Sequence, residues 1–344
     1  MTDRELQFHL YLRNLPIQDR EVFYGRLDLA TFTIPELAQA FEDARGLINA
    51  AWAANAPRIL APDGAIALHL DYINSSAVNA ITFGDEGTYF VGITGAMLKH
   101  FATTSSSLWH LDEVRELLGL EAADENEDPL FQALLLTQLQ FISSHEMGHL
   151  FHGHQSRNTF RTEFRNEIKN CAAGSMKDQA REVEADAYAV HLLLSNALLS
   201  DSGELIRARL KSRLAKEDCI LTLVALSIGS LFYFLDPWDF EPDRVRYCDH
   251  PFALARMSVV MREITNWCKL NLPEYVDWAT LPRFQQVMAP VVNAEGSNER
   301  IEMWLRQGDY LRDQSGAEYT RDLYRLQDEL RSEMDLLRWR LEGE

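Results

Sequence analysis

The 344-residue chain has only four cysteines, and Cys171, Cys219, Cys248 and Cys268 fall in no CxxC pair and no framework spacing. That excludes a disulfide-built scaffold and makes a reduced, cytoplasmic protein the simplest expectation. Positive charge is also short: 33 lysines and arginines against 52 aspartates and glutamates give a formal net charge of −19. Phosphate backbones and anionic lipid surfaces repel such a chain, so nucleic acid is not an expected partner. No internal repeat or long low-complexity linker is present. The opening "MTDRELQFHLYLRNLP" lacks the basic region, apolar core and cleavage site of a secretion signal, so secretion is not expected. Long uncharged runs are absent but for one, "CILTLVALSIGSLFYFL" at 219–235, which sits at the lower length limit for a membrane span. Arg207, Arg209, Lys211, Arg213 and Lys216 precede it, and Asp236, Asp239 and Glu241 follow, an asymmetry that mimics positive-inside flanking. A fully buried core helix is the other reading.

What remains is ordinary globular material, 47% hydrophobic, long enough for about two domains. Residues 1–60 read as charged amphipathic helix, with Thr33 and Pro35 marking a start in "TFTIPELAQAFEDARGLINAAWAA". "AIALHLDYIN" and "GTYFVGIT" are rich in β-branched and aromatic residues, with Gly84 and Gly87 between them, which predicts a small sheet and a hairpin near 83–88. Asp128 and Pro129 fit a helix cap and first helical position, and the helix they open runs about six turns to Gly153. A second long helix is expected over 177–199. Along 317–342, Tyr319, Leu323, Leu326, Leu330, Leu337 and Leu341 recur at helical spacing, either packing on the body or offering a dimerising or partner-binding face. The expected fold is α+β and mainly helical, in three parts: an N-terminal helical region 1–60, a central domain 61–265 and a helical extension 266–344.

The densest stretch is "HEMGHLFHGH", residues 145–154, with four histidines and one glutamate in ten positions. His145, Glu146 and His149 form HExxH. Positions i and i+4 share a helix face, so both imidazoles can reach one ion. Glu146, about 100° round the helix, can reach a water on that ion without ligating it. A catalytic zinc needs a third protein ligand and one open position. A histidine ten residues after the first would have to be Gln155, so that form of the motif fails. "REVEADAYAV" instead offers Glu182 and Asp186 on one helical face, Glu182 as the third ligand and Asp186 accepting the free N–H of a ligand histidine. Glu184, about 200° away, is the fallback ligand. A solvated face is the alternative for this pair, although the small Ala185, Ala187 and Ala189 favour close helix approach and burial. His154 is expected at the helix end or as an outer support of the site rather than as a ligand, and His152 at the surface or in packing. His9, His69, His100, His110 and His191 have no partner in sequence that singles them out.

HExxH on one helix with ExxxD on the next resembles the gluzincin metallopeptidases, and more closely the branch of the CAAX-processing and heat-shock proteases and their soluble relatives. Four landmarks in chain order carry the resemblance over about residues 70–260. They are "NAITFGDEGTYFVGITGAML" with Asn79, Ala80, Thr94 and Gly95; "HEMGHLFHGH"; "EVEAD"; and "HPFALAR", similar to HPxxxxR, with His250, Pro251 and Arg256. The resemblance implies a zincin-like fold, with a small sheet edge beside the HExxH helix and a second ligand helix. It implies one Zn2+ per chain on His145, His149 and Glu182, a catalytic oxyanion-side role for His250, and Arg256 anchoring that loop or a nearby carboxylate. Asn79 and Thr94 become candidates for substrate binding, with shaping of the turn before the strand as the alternative role for Asn79. In this family the HPxxxxR segment returns to the active site. A single crossing by 219–235 would leave His250 on the far side of a membrane from His145, so that segment is expected to be a core helix. Residues 1–60 and 265–344 have no counterpart in the family.

The expected function is a zinc-dependent endopeptidase. Glu146, as general base, takes the proton from a metal-activated water attacking a peptide carbonyl and passes it to the leaving amine. A protein or peptide substrate is expected to lie extended beside the strand at 88–94, by strand addition. Three alternatives stay open: a catalytically inactive or regulatory metalloprotease-like scaffold binding a protein partner through 317–342, a phage-exclusion-type protease, and a membrane-anchored protease spanning at 219–235. The presence of Glu146 and of all three ligands speaks against the scaffold.

Overall fold

The structure, a computed structural model, describes residues 3–14, 23–55, 60–61, 64–65, 67–85, 88–121, 129–151, 174–235, 240–248, 250–295 and 297–334. Helix α1 (Asp3–Asn14) and helix α2 (Pro35–Asn55) precede the strands. Helix α2 starts at Pro35, whose fixed φ and missing N–H suit a first turn. The described residues between the two helices, 23–34, are not α-helical. There Arg26 bridges to Ile73, and a single 3-10 turn, Leu29–Thr31, is capped by the Asp28 carboxylate.

Strands β1 (Leu60–Ala61) and β2 (Gly64–Ala65) make a short antiparallel pair. The main sheet holds β3 (Ala67–Ile73), β4 (Ala80–Asp85) and β5 (Thr88–Thr94) in the order β3–β5–β4. The expected hairpin is β4–β5, antiparallel with Asp85 opposite Thr88, whereas β3 runs parallel to β5. β5 is therefore the central strand. This corrects the expectation that a substrate adds to 88–94, because both edges of that strand are already paired. Side chains alternate across the sheet as a period of two requires. Ile73, Phe83 and Phe90 meet Phe8 and Leu12 of α1 on one side, while Leu68, Leu70, Tyr72, Val91 and Ile93 enter the main core on the other.

The helical body comprises α3 (Gly95–Leu108), α4 (Asp112–Leu117), α5 (Pro129–Phe151), α6 (Met176–Leu198), α7 (Ser202–Leu210), α8 (Lys216–Leu235), α9 (Ala253–Asn271), α10 (Leu281–Glu295), α11 (Asn298–Arg312) and α12 (Gln314–Met334). Asp128 and Gly153, expected to bound the HExxH helix, lie outside the described residues. Helix α8 answers the question of the uncharged run. Among the described residues it is the one helix long and apolar enough to cross a membrane, yet 83% of its apolar window is buried inside the fold. Every residue from Cys219 to Tyr233 is buried, against α5, α9 and α10 among others. Each such leucine, isoleucine or phenylalanine removed from water contributes about 1.5–3 kcal/mol, so α8 is the core around which the other helices pack.

Helix α12 packs on α6 with Tyr319, Leu323 and Leu330 buried, so its apolar face is used within the chain. Leu337 and Leu341, expected to continue that face, lie outside the described residues. Cys219 and Cys268 are free and buried, but Cys248 is disulfide-bonded, which corrects the expectation of a wholly reduced chain. Cysteine spacing along a chain carries no information about which thiols meet in space.

Candidate metal centre

The site forms where α5 crosses α6. Close approach of the two helices depends on small residues: a Cβ added at Gly148 would lie 3.0 Å from Ala185 Cα and 3.3 Å from its carbonyl oxygen. Ala185, Ala187 and Ala189 are all buried, as their size led one to expect. That contact sets HExxH of α5 directly against the ExxxD of α6.

His145 Nε2 and His149 Nε2 lie 3.0 Å apart. Glu182 closes the group, with Oε2 3.4 Å from His145 Nε2 and Oε1 3.4 Å from His149 Nε2. The three residues offer ligand atoms all within 4.8 Å of one another and can hold a metal ion. Tetrahedral coordination at about 2.0–2.1 Å from nitrogen and oxygen puts neighbouring ligand atoms about 3.3–3.4 Å apart, close to the two edges that Glu182 makes and wider than the edge between the imidazoles.

Asp186 acts from behind, as expected. It is fully buried and its Oδ1 accepts from His145 Nδ1 at 2.9 Å, which turns Nε2 towards His149 and Glu182. Arg256 grips the same carboxylate through two donors, Nε to Oδ2 at 2.9 Å and Nη2 to Oδ1 at 2.7 Å. The guanidinium carbon of Arg256 lies 4.3 Å from the centre of the Phe232 ring, and Phe232 in turn meets Phe141 of α5 edge-to-face. The core helix α8 thereby supports the outer shell of the site through Phe232. His250 also arrives, with Nε2 3.4 Å from Glu182 Oε2. The HPxxxxR segment therefore does bring its histidine and arginine to HExxH and ExxxD.

The electrostatics follow from this packing. Burial alone would lower the His145 pKa, but the Asp186 and Glu182 carboxylates outweigh it and raise it to about 10. Burial would raise Glu182, but His250, His149 and His145 hold it well below the usual carboxylate range. Asp186 is likewise lowered against its burial, by Arg256 and His145. Burial pushes the Glu146 carboxyl up, with His149 and His145 only partly offsetting it. Two neighbouring carboxylates are thus driven apart in proton affinity, Glu146 upwards and Glu182 downwards.

Glu184, the fallback ligand, is excluded by its surroundings. It is buried on another side of α6, with Gln327 and Arg331 of α12 on its carboxylate. Asn79 and Thr94 are buried and tied to each other: Thr94 Oγ1 donates to the Asn79 carbonyl at 2.9 Å, and Thr94 also caps α3. Asn79 Oδ1 accepts from Ala80 N at 2.8 Å, so both residues shape the start of β4 and the end of β5. His152 and His154 lie outside the described residues.

One neighbour of the site was missed in the sequence. Thr82, on the core-facing side of β4, has its hydroxyl 2.9 Å from the Glu146 carbonyl oxygen and 3.1 Å from Glu146 Oε2. It orients the carboxylate next to the metal ligands. Only the strand-type residues around it were legible beforehand, because a contact across 64 positions leaves no local pattern. Comparison of the chain with protein-family models, with curated proteins and with solved structures returned no match.

Proposed function

We propose that this protein is a zinc-dependent endopeptidase of zincin-like fold, related to the gluzincins, with one Zn2+ on His145, His149 and Glu182. The observation that carries the reading is the convergence of those three ligands beside a fourth group, Glu146, whose carboxyl is raised by burial and held by Thr82. A metal site that only stabilises a fold has no use for such a base, and structural zinc sites are closed by four protein ligands.

When bound, the ion supplies Lewis acidity to a water and to the substrate carbonyl. The chain's own groups do the rest. Glu146 accepts the proton of the attacking water and returns it to the departing amine, and its raised proton affinity suits both steps. Thr82 keeps the carboxylate turned to the ligand face. Asp186 and Arg256 fix the His145 tautomer and ring orientation. His250, with Nε2 3.4 Å from Glu182 Oε2, is the candidate to donate to the oxygen that gains charge as the carbonyl is attacked. An extended protein or peptide substrate would add to β4, which among the described residues pairs in the sheet only with β5 and carries Thr82. Main-chain pairing asks for extended backbone more than for particular side chains.

A proteome-derived peptide library incubated with the Zn2+-loaded protein and read by mass spectrometry tests this reading. New peptide termini are expected with wild type, and none with Glu146→Gln or with wild type in excess chelator. A library left intact by wild type, or cut equally by Glu146→Gln, contradicts it.

A further inference from the structure

Helix α6 carries the third ligand on one side and a second set of buried polar contacts on another, made with α12, α9 and the segment at 245–248. Gln179, fully buried one turn before Glu182, accepts from Tyr319 Oη at 2.6 Å. Its own amide donates to the Val245 carbonyl at 2.5 Å and to the Cys248 carbonyl at 2.7 Å, holding the segment that leads into His250. Gln327 donates to Glu184 Oε2 at 2.8 Å, and Arg331 Nε to the same carboxylate at 2.7 and 3.0 Å. Arg331 Nη2 then reaches Glu263 of α9 at 3.2 Å. Glu263 is completed by Arg262 and by His191 of α6, and Arg262 lies 3.8 Å over the Tyr324 ring of α12 while donating to Gln327.

An apolar face would have sufficed to keep α12 on the body, and Tyr319, Leu323 and Leu330 provide one. Apolar ridges, however, tolerate rotation and sliding between neighbouring settings. A buried carboxylate does not, because outside its paired geometry it is left uncompensated. Glu184 is buried with Gln327 and Arg331 on its carboxylate, so a shifted α12 would leave it uncompensated. Register is what such a pair provides. The contacts fall on residues 179, 183 and 184, which bracket Glu182 in the helix.

We infer that α12 is a brace for the metal centre. Arg331, Gln327 and Tyr319 act as positioning residues through Glu184 and Gln179, setting the rotation of α6 that aims Glu182 at His145 and His149. The inference rests on the reading of these three residues as a metal site. It assigns a role to the C-terminal helical extension, for which the motifs offer none. Outer partners of metal ligands typically govern about 10–100-fold in metal affinity, and the brace should act at the lower end because it works through the helix backbone.

The test is the Zn2+ affinity of the full chain, measured by competition with a chromophoric chelator at a temperature where circular dichroism shows each variant folded. Arg331→Met should bind Zn2+ about 10-fold more weakly than wild type. The double variant Glu184→Leu, Arg331→Met exchanges the ion pair for apolar side chains, so it should recover stability but remain about 10-fold weaker for Zn2+. The double variant carries the test if Arg331→Met does not fold. Leu323→Ala removes packing from α12 without touching the polar contacts, and should lose stability while binding Zn2+ as wild type does. Wild-type affinity in the double variant overturns the brace, as does a weakening in Leu323→Ala equal to that in Arg331→Met. A wild type that binds no Zn2+ instead overturns the metal site itself, and the brace falls with it.

Discussion

Glu182 and Glu184 are two residues apart on α6, and nothing in their side chains distinguishes them. Their surroundings do. Glu184 faces α12, where the guanidinium of Arg331 and the amide of Gln327 satisfy its oxygens permanently. Glu182 has imidazoles against its carboxylate, among the described residues those of His145, His149 and His250. A guanidinium keeps its protons and has no lone pair to offer a metal. An imidazole can give up its proton, and its nitrogen then becomes a ligand itself. On the proposed reading one helix carries a structural carboxylate on one side and a metal-binding one on another, and the difference lies in which bases its neighbours bring.

Substitution should separate the two sides most sharply at Glu182. A three-residue zinc site shares a binding free energy of about 10–16 kcal/mol among protein and solvent ligands, so Glu182→Ala should weaken Zn2+ on the order of 1,000-fold in chelator competition. A loss of only about 10-fold, the size expected from the Glu184 side, would erase the contrast.

Acid should break the outer side in a way that Glu263 reports. Burial would raise its pKa, but His191, Arg331 and Arg262 lower it from the model-peptide 4.5 to about 2. A carboxyl lowered on folding contributes stability that is present above its unfolded pKa and lost as pH falls towards the folded one. The window is therefore about pH 4.5 down to 2, and the loss about 3 kcal/mol at 1.36 kcal/mol per pKa unit. Urea unfolding of wild type and Glu263→Gln across that range checks it; equal acid sensitivity in the two would contradict the assignment.

Smaller effects sharpen the inner side. Asp186→Asn can no longer hold His145 and Arg256 with a charge, and should weaken Zn2+ by about 10–100-fold in the same competition assay. Thr82→Val removes one hydroxyl from Glu146. It should leave Zn2+ affinity unchanged and slow peptide cleavage about 5- to 10-fold, the worth of one ordinary hydrogen bond of about 1 kcal/mol, with Thr82→Ser restoring the rate. A slowing that Thr82→Ser shares would mean the methyl group, not the hydroxyl, matters.

Much of the inner side was legible in the sequence because it depends on helical period. HExxH and ExxxD are patterns within single helices, and period alone puts each pair on one face. The small residues at 185, 187 and 189 pointed to close helix approach, whereas the uncharged run at 219–235 fitted a membrane span as well as a core helix until the return of HPxxxxR to the site favoured burial. The outer side was not legible. Glu184 in "EVEAD" looks like a spare ligand until Arg331 arrives from 147 residues away. The placement of β5 at the centre of the sheet failed for the same reason: its parallel pairing with β3 is a fact of topology, not of either strand's pattern. Thr82 and Phe232 reach the site by tertiary packing that no local spacing encodes.

The central claim is that His145, His149 and Glu182 hold one ion while Glu146 holds none, and elemental analysis of protein purified from zinc-supplemented cells tests it most directly. One equivalent of zinc in wild type and in Glu146→Gln, with a clear deficit in Glu182→Ala, is the predicted result. Metal-free wild type, or a full equivalent retained by Glu182→Ala, would contradict it.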